Sequence, residues 1–305
     1  MCGIVGYIGQ AGDSRDYFAL DVVLEGLRRL EYRGYDSAGV AVHANGEINF
    51  RKKAGKVAAL DAEIARAPLA DSILAIGHTR WATHGGPTDA NAHPHVVDGG
   101  KLAVVHSGII ENFAELRAEL TAKGYNFVSA TDTEVAATLL ADIYNTEAKG
   151  DLTLAMQLTG QRLEGAFTLL AIHADHDDRI VAARRNSPLV IGLGEGENFL
   201  GSDVSGFIDY TRKAVEMGND QIVTITANDY QITNFDGSEA TGKPFDVEWD
   251  AAAAEKGGFD SFMDKEIHDQ PAAVRDTLLG RLDEDGKLVL DELRIDEATL
   301  RSVNK

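Results

Sequence analysis

The sequence predicts an α+β protein in which helical layers stack on layers of β-sheet, because its apolar patterning groups strands, then helices, then strands again. Strand signals fall at residues 2–9, 39–50, 72–77 and 101–106 and return from 166 to 225, and helical spacing dominates residues 111–163. Gly, Asn and Asp clusters separate most of these stretches, as turns require.

Taken in order, Cys2-Gly-Ile-Val-Gly-Tyr-Ile-Gly9 reads as a short strand, with Ile4 and Ile8 on one face. Over residues 15–33, Leu20, Val23, Leu24, Leu27 and Leu30 recur at helical spacing, and Gly34 stands where a left-handed C-terminal cap belongs. Two β-rich stretches, 39–43 and 47–50, are joined through Asn45-Gly46, the dipeptide that most favours a tight hairpin. Residues 72–77 and 101–106 read as buried strands. The long loop between them is rich in Gly, Pro, Asn and His, and loops of that length usually carry function.

Helices are expected over 111–123, closed by Gly124, from Thr131-Asp-Thr-Glu134, whose spacing fits a capping box, and over 151–163. Residues 166–173 and 179–184 form a hairpin about the acidic turn 175–178, and strands continue through Ile191, Phe199 and 222–225. Past Asp236 the pattern weakens. Residues 237–258 have the composition of a linker, so one domain is expected over 2–240 and the opening of a second, truncated one over 241–305, beginning with a helical pattern at 263–275.

The 44% hydrophobic content of the 305 residues can fill a core of that size. A formal charge of −20 argues against gripping a phosphate backbone, so no nucleic acid partner is expected. No apolar run reaches the roughly 20 residues that span a bilayer, and no leader pattern opens the chain, so the expected setting is cytoplasmic with no membrane contact. The single cysteine excludes an internal disulfide and a thiolate metal cage.

That cysteine is at position 2, and methionine aminopeptidase removes Met1 when the next side chain is small. The product is a thiol beside a free α-amine, whose ordinary pKa of about 7.7–8.0 suits it to take the thiol proton and return it. An arbitrary cysteine is more often a small buried hydrophobe. Its company argues otherwise: Tyr32-Arg-Gly-Tyr-Asp-Ser-Ala-Gly39, Gly77-His-Thr-Arg-Trp-Ala-Thr-His-Gly85, Val105-His-Ser-Gly-Ile-Ile-Glu-Asn112 and Thr131-Asp-Thr-Glu134 each put a polar cluster at the edge of an expected strand or helix.

With these motifs the chain resembles the N-terminal glutaminase domain of the glucosamine-6-phosphate synthases, or glutamine:fructose-6-phosphate amidotransferases, from Cys2 to Arg281. The stretch 263–271 marks this family rather than other N-terminal-nucleophile amidotransferases. The resemblance implies a four-layer αββα sandwich of the N-terminal-nucleophile hydrolase type. It also implies hydrolysis of L-glutamine to glutamate and ammonia through a Cys2 thioester. Arg80 would pair with the substrate α-carboxylate and Asp132 with its α-ammonium, while Trp81, Thr83 and His84 line the pocket and Arg33 helps hold the N-terminal residue. No cofactor or metal is implied. The implied partner is a C-terminal isomerase domain that binds fructose 6-phosphate, in a full-length protein that could be a homodimer.

One position departs from the family. Its oxyanion hole uses an Asn side-chain amide followed by a Gly N–H, whereas this chain has Ser107-Gly108. Gly108 keeps its donor. Loss of one such donor typically costs about 10²–10³ in turnover, so an impaired or reorganised glutaminase is expected. Two other readings therefore stay open, a catalytically impaired glutamine-binding module and a glutaminase half that serves another acceptor.

Five histidines between His78 and His106, including His93-Pro-His95, could suggest a metal site, but without a carboxylate cluster they read as loop-shaping hydrogen-bond partners. Gly192-Leu-Gly-Glu-Gly196 reads as a strand end and turn, and the acidic run 175–178 as a solvated hairpin tip.

Overall fold

The computed structural model describes residues 2–12, 16–248, 259, 262–278 and 302. In chain order the strands and helices of the first unit are β1 (Gly3–Gly9), α1 (Ala19–Leu30), β2 (Ser37–Ala44), β3 (Glu47–Ala54), α2 (Val57–Arg66), β4 (Leu74–Arg80), β5 (His95–Val97), β6 (Leu102–Ile110), α3 (Phe113–Ala122), α4 (Asp132–Asn145) and α5 (Leu152–Arg162). They continue as β7 (Gly165–His173), β8 (Ile180–Arg185), β9 (Val190–Leu193), β10 (Glu197–Gly201), β11 (Lys213–Glu216), β12 (Gln221–Ile225), β13 (Tyr230–Asn234), β14 (Glu239–Ala240) and β15 (Lys243–Asp246).

Two antiparallel sheets result, one in the order β15-β11-β9-β10-β1-β4-β2-β3 and the other β14-β13-β12-β8-β7-β6-β5. Period-two alternation sorts their faces. On β1, Ile4 and Ile8 join Ile76, Val105, Leu170 and Val223 between the sheets, while Val5 and Tyr7 face α1 with Val22, Val23 and Leu27. On the far side, α3, α4 and α5 cover the second sheet through Leu116, Leu120, Val135, Leu139 and Met156, packed on Val104 and Leu169. The layers are therefore helix, sheet, sheet, helix.

The Asn45-Gly46 hairpin forms as expected, with φ of 56° and 75° at the two turn residues, both in the left-handed region a tight turn between twisted strands demands. Gly34 corrects the reading of the first helix. That helix ends at Leu30, a 3-10 turn runs over Glu31–Arg33, and Gly34 has an extended φ of −168° rather than a left-handed cap. A β-carbon there would lie 2.6 Å from the Arg80 carbonyl carbon, so glycine serves the close approach of β4. The expected start of this helix near Arg15 lies outside the described residues.

The expected capping box is half formed. Thr131 Oγ1 accepts from the Glu134 N–H at 3.2 Å, but the Glu134 carboxylate accepts from Val128 and Ser129 at 2.9 and 2.7 Å instead of from the cap residue.

The expected domain boundary at residue 240 falls between β14 and β15. β14 pairs with β13 in one sheet and β15 with β11 in the other, so the chain crosses between sheets at Thr241-Gly242, and the compact unit extends to Ala254. The rest of the expected linker, 249–258, lies outside the described residues. In the second unit, α6 spans Phe262–Leu278 with Pro271 inside it, as the helical pattern of 263–275 suggested. Most of the tail beyond it also lies outside. No helix among the described residues is long and apolar enough to cross a membrane.

Candidate active site

The site lies where β1 begins, β4 ends, β6 bends and α4 starts. β1 and β4 run antiparallel with Gly3 opposite Thr79, which carries Cys2 and Arg80 to the same end of the sheet. From the facing sheet, β6 brings Ser107 and Gly108, and the first turn of α4 brings Asp132. One pocket is lined by Cys2, Arg80, Trp81, Thr83, Gly108 and Asp132, together with His93, His106, Thr131 and Thr133.

The Cys2 sulfur accepts the Trp81 N–H at 3.4 Å and lies 3.7 Å from the Trp81 carbonyl. Burial pushes the thiol up, while the Trp81 backbone, the Arg80 charge and a polar contact from Ser107 pull it back in part. At neutral pH the resting sulfur is therefore a thiol, and a nearby base has to take its proton before it can attack.

Gly108 is where β6 bends, with φ of +135°, and a β-carbon there would stand 2.0 Å from the Ala166 carbonyl oxygen, so only glycine fits. Asp132 gives one carboxylate oxygen to the Ile110 N–H at 2.9 Å. Its place in the first turn of α4 suits a negative charge.

Arg80 donates from Nη1 to the Gly86 carbonyl at 3.1 Å and from Nη2 to those of His84 and Gly85 at 2.5 and 2.9 Å. Burial pulls this guanidinium down, opposed by Cys2, Asp36 and Asp132. The cation thus faces two acids and the thiol while binding the loop that follows it.

Three expected residues are absent from the lining: Ser107, whose side chain makes a polar contact with Cys2, and Arg33 and His84, which turn elsewhere. Arg33 is buried and pairs with Asp203 at 3.1 Å, outside the pocket lining. His84 gives its carbonyl to Arg80, while its ring packs on Phe113 with centroids 4.9 Å apart. Trp81 lines the pocket, 46% exposed, with its ring edge-on to Tyr35.

Four lining residues were not expected as site residues. Thr133 Oγ1 lies 2.8 Å from both His93 Nε2 and His106 Nδ1, and since a hydroxyl has a single proton, at least one of the two imidazoles donates to it. Thr131 Oγ1 lies 3.0 Å from His95 Nε2. Burial drives His78 down to about 3, His93 and His95 well below the ordinary value, and His106 down as well, so all four are neutral near pH 7. The available signal was the pair of threonines flanking Asp132 at a helix start, opposite a loop of histidines. Among the described residues no group of three or more His, Cys, Asp or Glu is arranged to hold a metal ion.

The chain is 90% identical over 305 residues to a glutamine–fructose-6-phosphate aminotransferase (isomerizing) of Corynebacterium glutamicum, covering all of this chain and 49% of that protein. It is 59% identical over 305 residues to the enzyme so named from Streptomyces coelicolor, covering all of this chain and 48% of that one. The chain therefore spans about half the length of these relatives. Among solved structures, glutamine phosphoribosylpyrophosphate amidotransferase from B. subtilis superposes with a TM-score of 0.63 at 22% identity, over 77% of this chain and 49% of that one. An allosteric regulatory enzyme of purine biosynthesis gives a TM-score of 0.65 at 23% identity, over 77% of this chain and 49% of that one. These two share the fold of this chain. The sequence pattern of the glutamine amidotransferase domain matches residues 65–237, more than half of the chain, and the chain belongs to that family.

Proposed function

We propose that this chain hydrolyses L-glutamine to glutamate and ammonia, with Cys2 as the nucleophile once Met1 is removed. The observation that carries the reading is the convergence of Cys2, Arg80, Gly108 and Asp132 on one pocket. A free amino acid presents a carboxylate and an ammonium, and the pocket offers one cation and one anion to match them. Substrate carboxylate would take donors that Arg80 now gives to the His84–Gly86 carbonyls, and the α-ammonium would meet the uncommitted oxygen of Asp132.

In the chemical step the freed α-amine of Cys2 takes the thiol proton and the sulfur attacks the side-chain amide carbon. The Gly108 N–H faces the developing oxyanion. The carbon–nitrogen bond then breaks, the proton returns to the departing nitrogen, and ammonia leaves. Water cleaves the remaining thioester to glutamate and regenerates the thiol. In the longer relatives' context, this ammonia would be consumed by a C-terminal isomerase half acting on fructose 6-phosphate, in a cytoplasmic enzyme that assembles as a homodimer.

Incubating the chain freed of Met1 with L-glutamine tests this directly. Glutamate and ammonia should appear in equal amounts, and release of neither would overturn the reading. Ser107 favours a second reading, a slow enzyme or a glutamine-binding module, because a serine side chain is shorter than the amide donor that the family resemblance implies at this position. Ser107→Asn should raise glutamate release at least about tenfold, since one missing oxyanion donor costs about 10²–10³. An unchanged rate in that variant would show that the serine is no handicap.

A further inference from the structure

We propose that Lys52 is a positioning residue for the glutamine pocket, its ammonium fixing the backbone on either side of His93 so that this residue holds the pocket wall. The inference rests on the proposed glutamine hydrolysis and assigns a role to a side chain that does not touch the substrate.

β3 is the edge strand of its sheet, and Lys52 on it stands directly across from Gly39 on β2. A β-carbon on Gly39 would lie 2.0 Å from the His93 carbonyl oxygen. The missing side chain is thus what lets residues 92–94 settle on the strand pair. Lys52 completes that seat. Its Nζ donates to the carbonyls of Ala92 at 2.8 Å, Pro94 at 3.1 Å and Ala90 at 3.4 Å, matching three N–H groups to three acceptors.

An edge-strand lysine ordinarily keeps its ammonium in water. Burial here draws Lys52 down to about 8, against the pull of Glu134 on α4 and Asp89 in the loop, and at neutral pH it still carries its charge. Next to it, Lys53 pairs with Asp89 at 2.5 Å and the Ala54 N–H donates to the same carboxylate at 2.8 Å, so β3 holds the loop at two points.

The loop from 84 to 94 has no helix or strand of its own. Its carbonyls are taken by two cations from different strands, Arg80 at residues 84–86 and Lys52 at residues 90, 92 and 94. With the backbone fixed on both sides, His93 reaches Thr133 and lines the pocket beside Asp132. Loss of the ammonium should leave the loop free to sample other positions and weaken substrate binding, while Cys2, on a different strand, keeps its place.

Lys52→Met keeps the aliphatic stem and removes the charge. It should raise KM for L-glutamine at least about tenfold while kcat stays within about threefold, the pattern of lost binding rather than lost chemistry. Backbone amides of residues 84–95 should exchange with deuterium faster, with the sheets unchanged, and Lys52→Arg should restore both readouts. If Lys52→Met proves too unstable to purify, Lys52→Gln is read the same way. An unchanged KM with unchanged loop exchange, or faster exchange across the whole sandwich, would overturn the proposal. If the unsubstituted chain releases no glutamate, the glutaminase reading fails, and the exchange comparison still decides whether Lys52 holds the loop.

Discussion

Cys2→Ala should reduce glutamate release by about 10⁴-fold or more, since removing a covalent nucleophile removes the route it opens and leaves only what the rest of the pocket does for water. Folding should survive the change. The side chain is small, and its polar contacts are weak ones to the Trp81 backbone and to Ser107, so the melting temperature should move by no more than a few degrees. Because the chain has one cysteine, a glutamine-like chloroketone should add a single label, L-glutamine should protect against it, and mass spectrometry should place it on Cys2. An active Cys2→Ala protein, or activity in material whose Cys2 amine is still blocked by Met1, would end the nucleophile assignment.

Acid should unfold the sandwich well before its surface carboxylates are neutralised. His78, His93, His95 and His106 are each at most 4% exposed and neutral, with folded-state pKa values lowered from about 6.5, to about 3 for His78. The sign follows from proton counting. Below pH 6.5 the unfolded chain binds protons on these rings and the folded chain does not, so stability present above pH 6.5 is lost as pH falls. His78, neutral in the folded chain across this range, costs about 1 kcal/mol of stability between pH 7 and 5.5, and His93, His95 and His106 act in the same direction. Urea unfolding at the two pH values measures this. A midpoint that does not move would mean the rings are protonated in place, and the hydrogen-bond pattern about Thr133 would have to be redrawn.

What the sequence revealed divides along physical lines. Elements whose faces are sorted by burial were legible, because alternation along β1 and helical spacing along α1 record which side meets the core. The Asn45-Gly46 turn was legible because its backbone angles exclude most other residues. β14 and β15 were not. They are short edge strands without an alternating pattern, the side chains of Lys243–Asp246 are exposed, and their pairing runs through backbone groups rather than sorted side chains. Gly34 was misread for a related reason, since its requirement comes from Arg80, remote in sequence. Cys2, Arg80, Trp81, Thr83, Gly108 and Asp132, all from the quoted motifs, line one pocket, but a motif does not say which way a side chain turns. Arg33 turns to Asp203 and the His84 ring to Phe113, and Thr133 emerged only once two histidines were seen to share its hydroxyl.

The crossing from β14 to β15 also has a mechanical side. Each short strand is stitched to a different sheet, with Gly242 threaded so close to Val215 that a side chain there would come within 2.2 Å of it. Tension applied to the polypeptide beyond Asp246 would load first the rungs between β15 and β11, then the stitch at Gly242, then those between β14 and β13. Whatever follows this sandwich is thus moored to both of its slabs in series, and a tug from that side would peel one seam before it could strain the other.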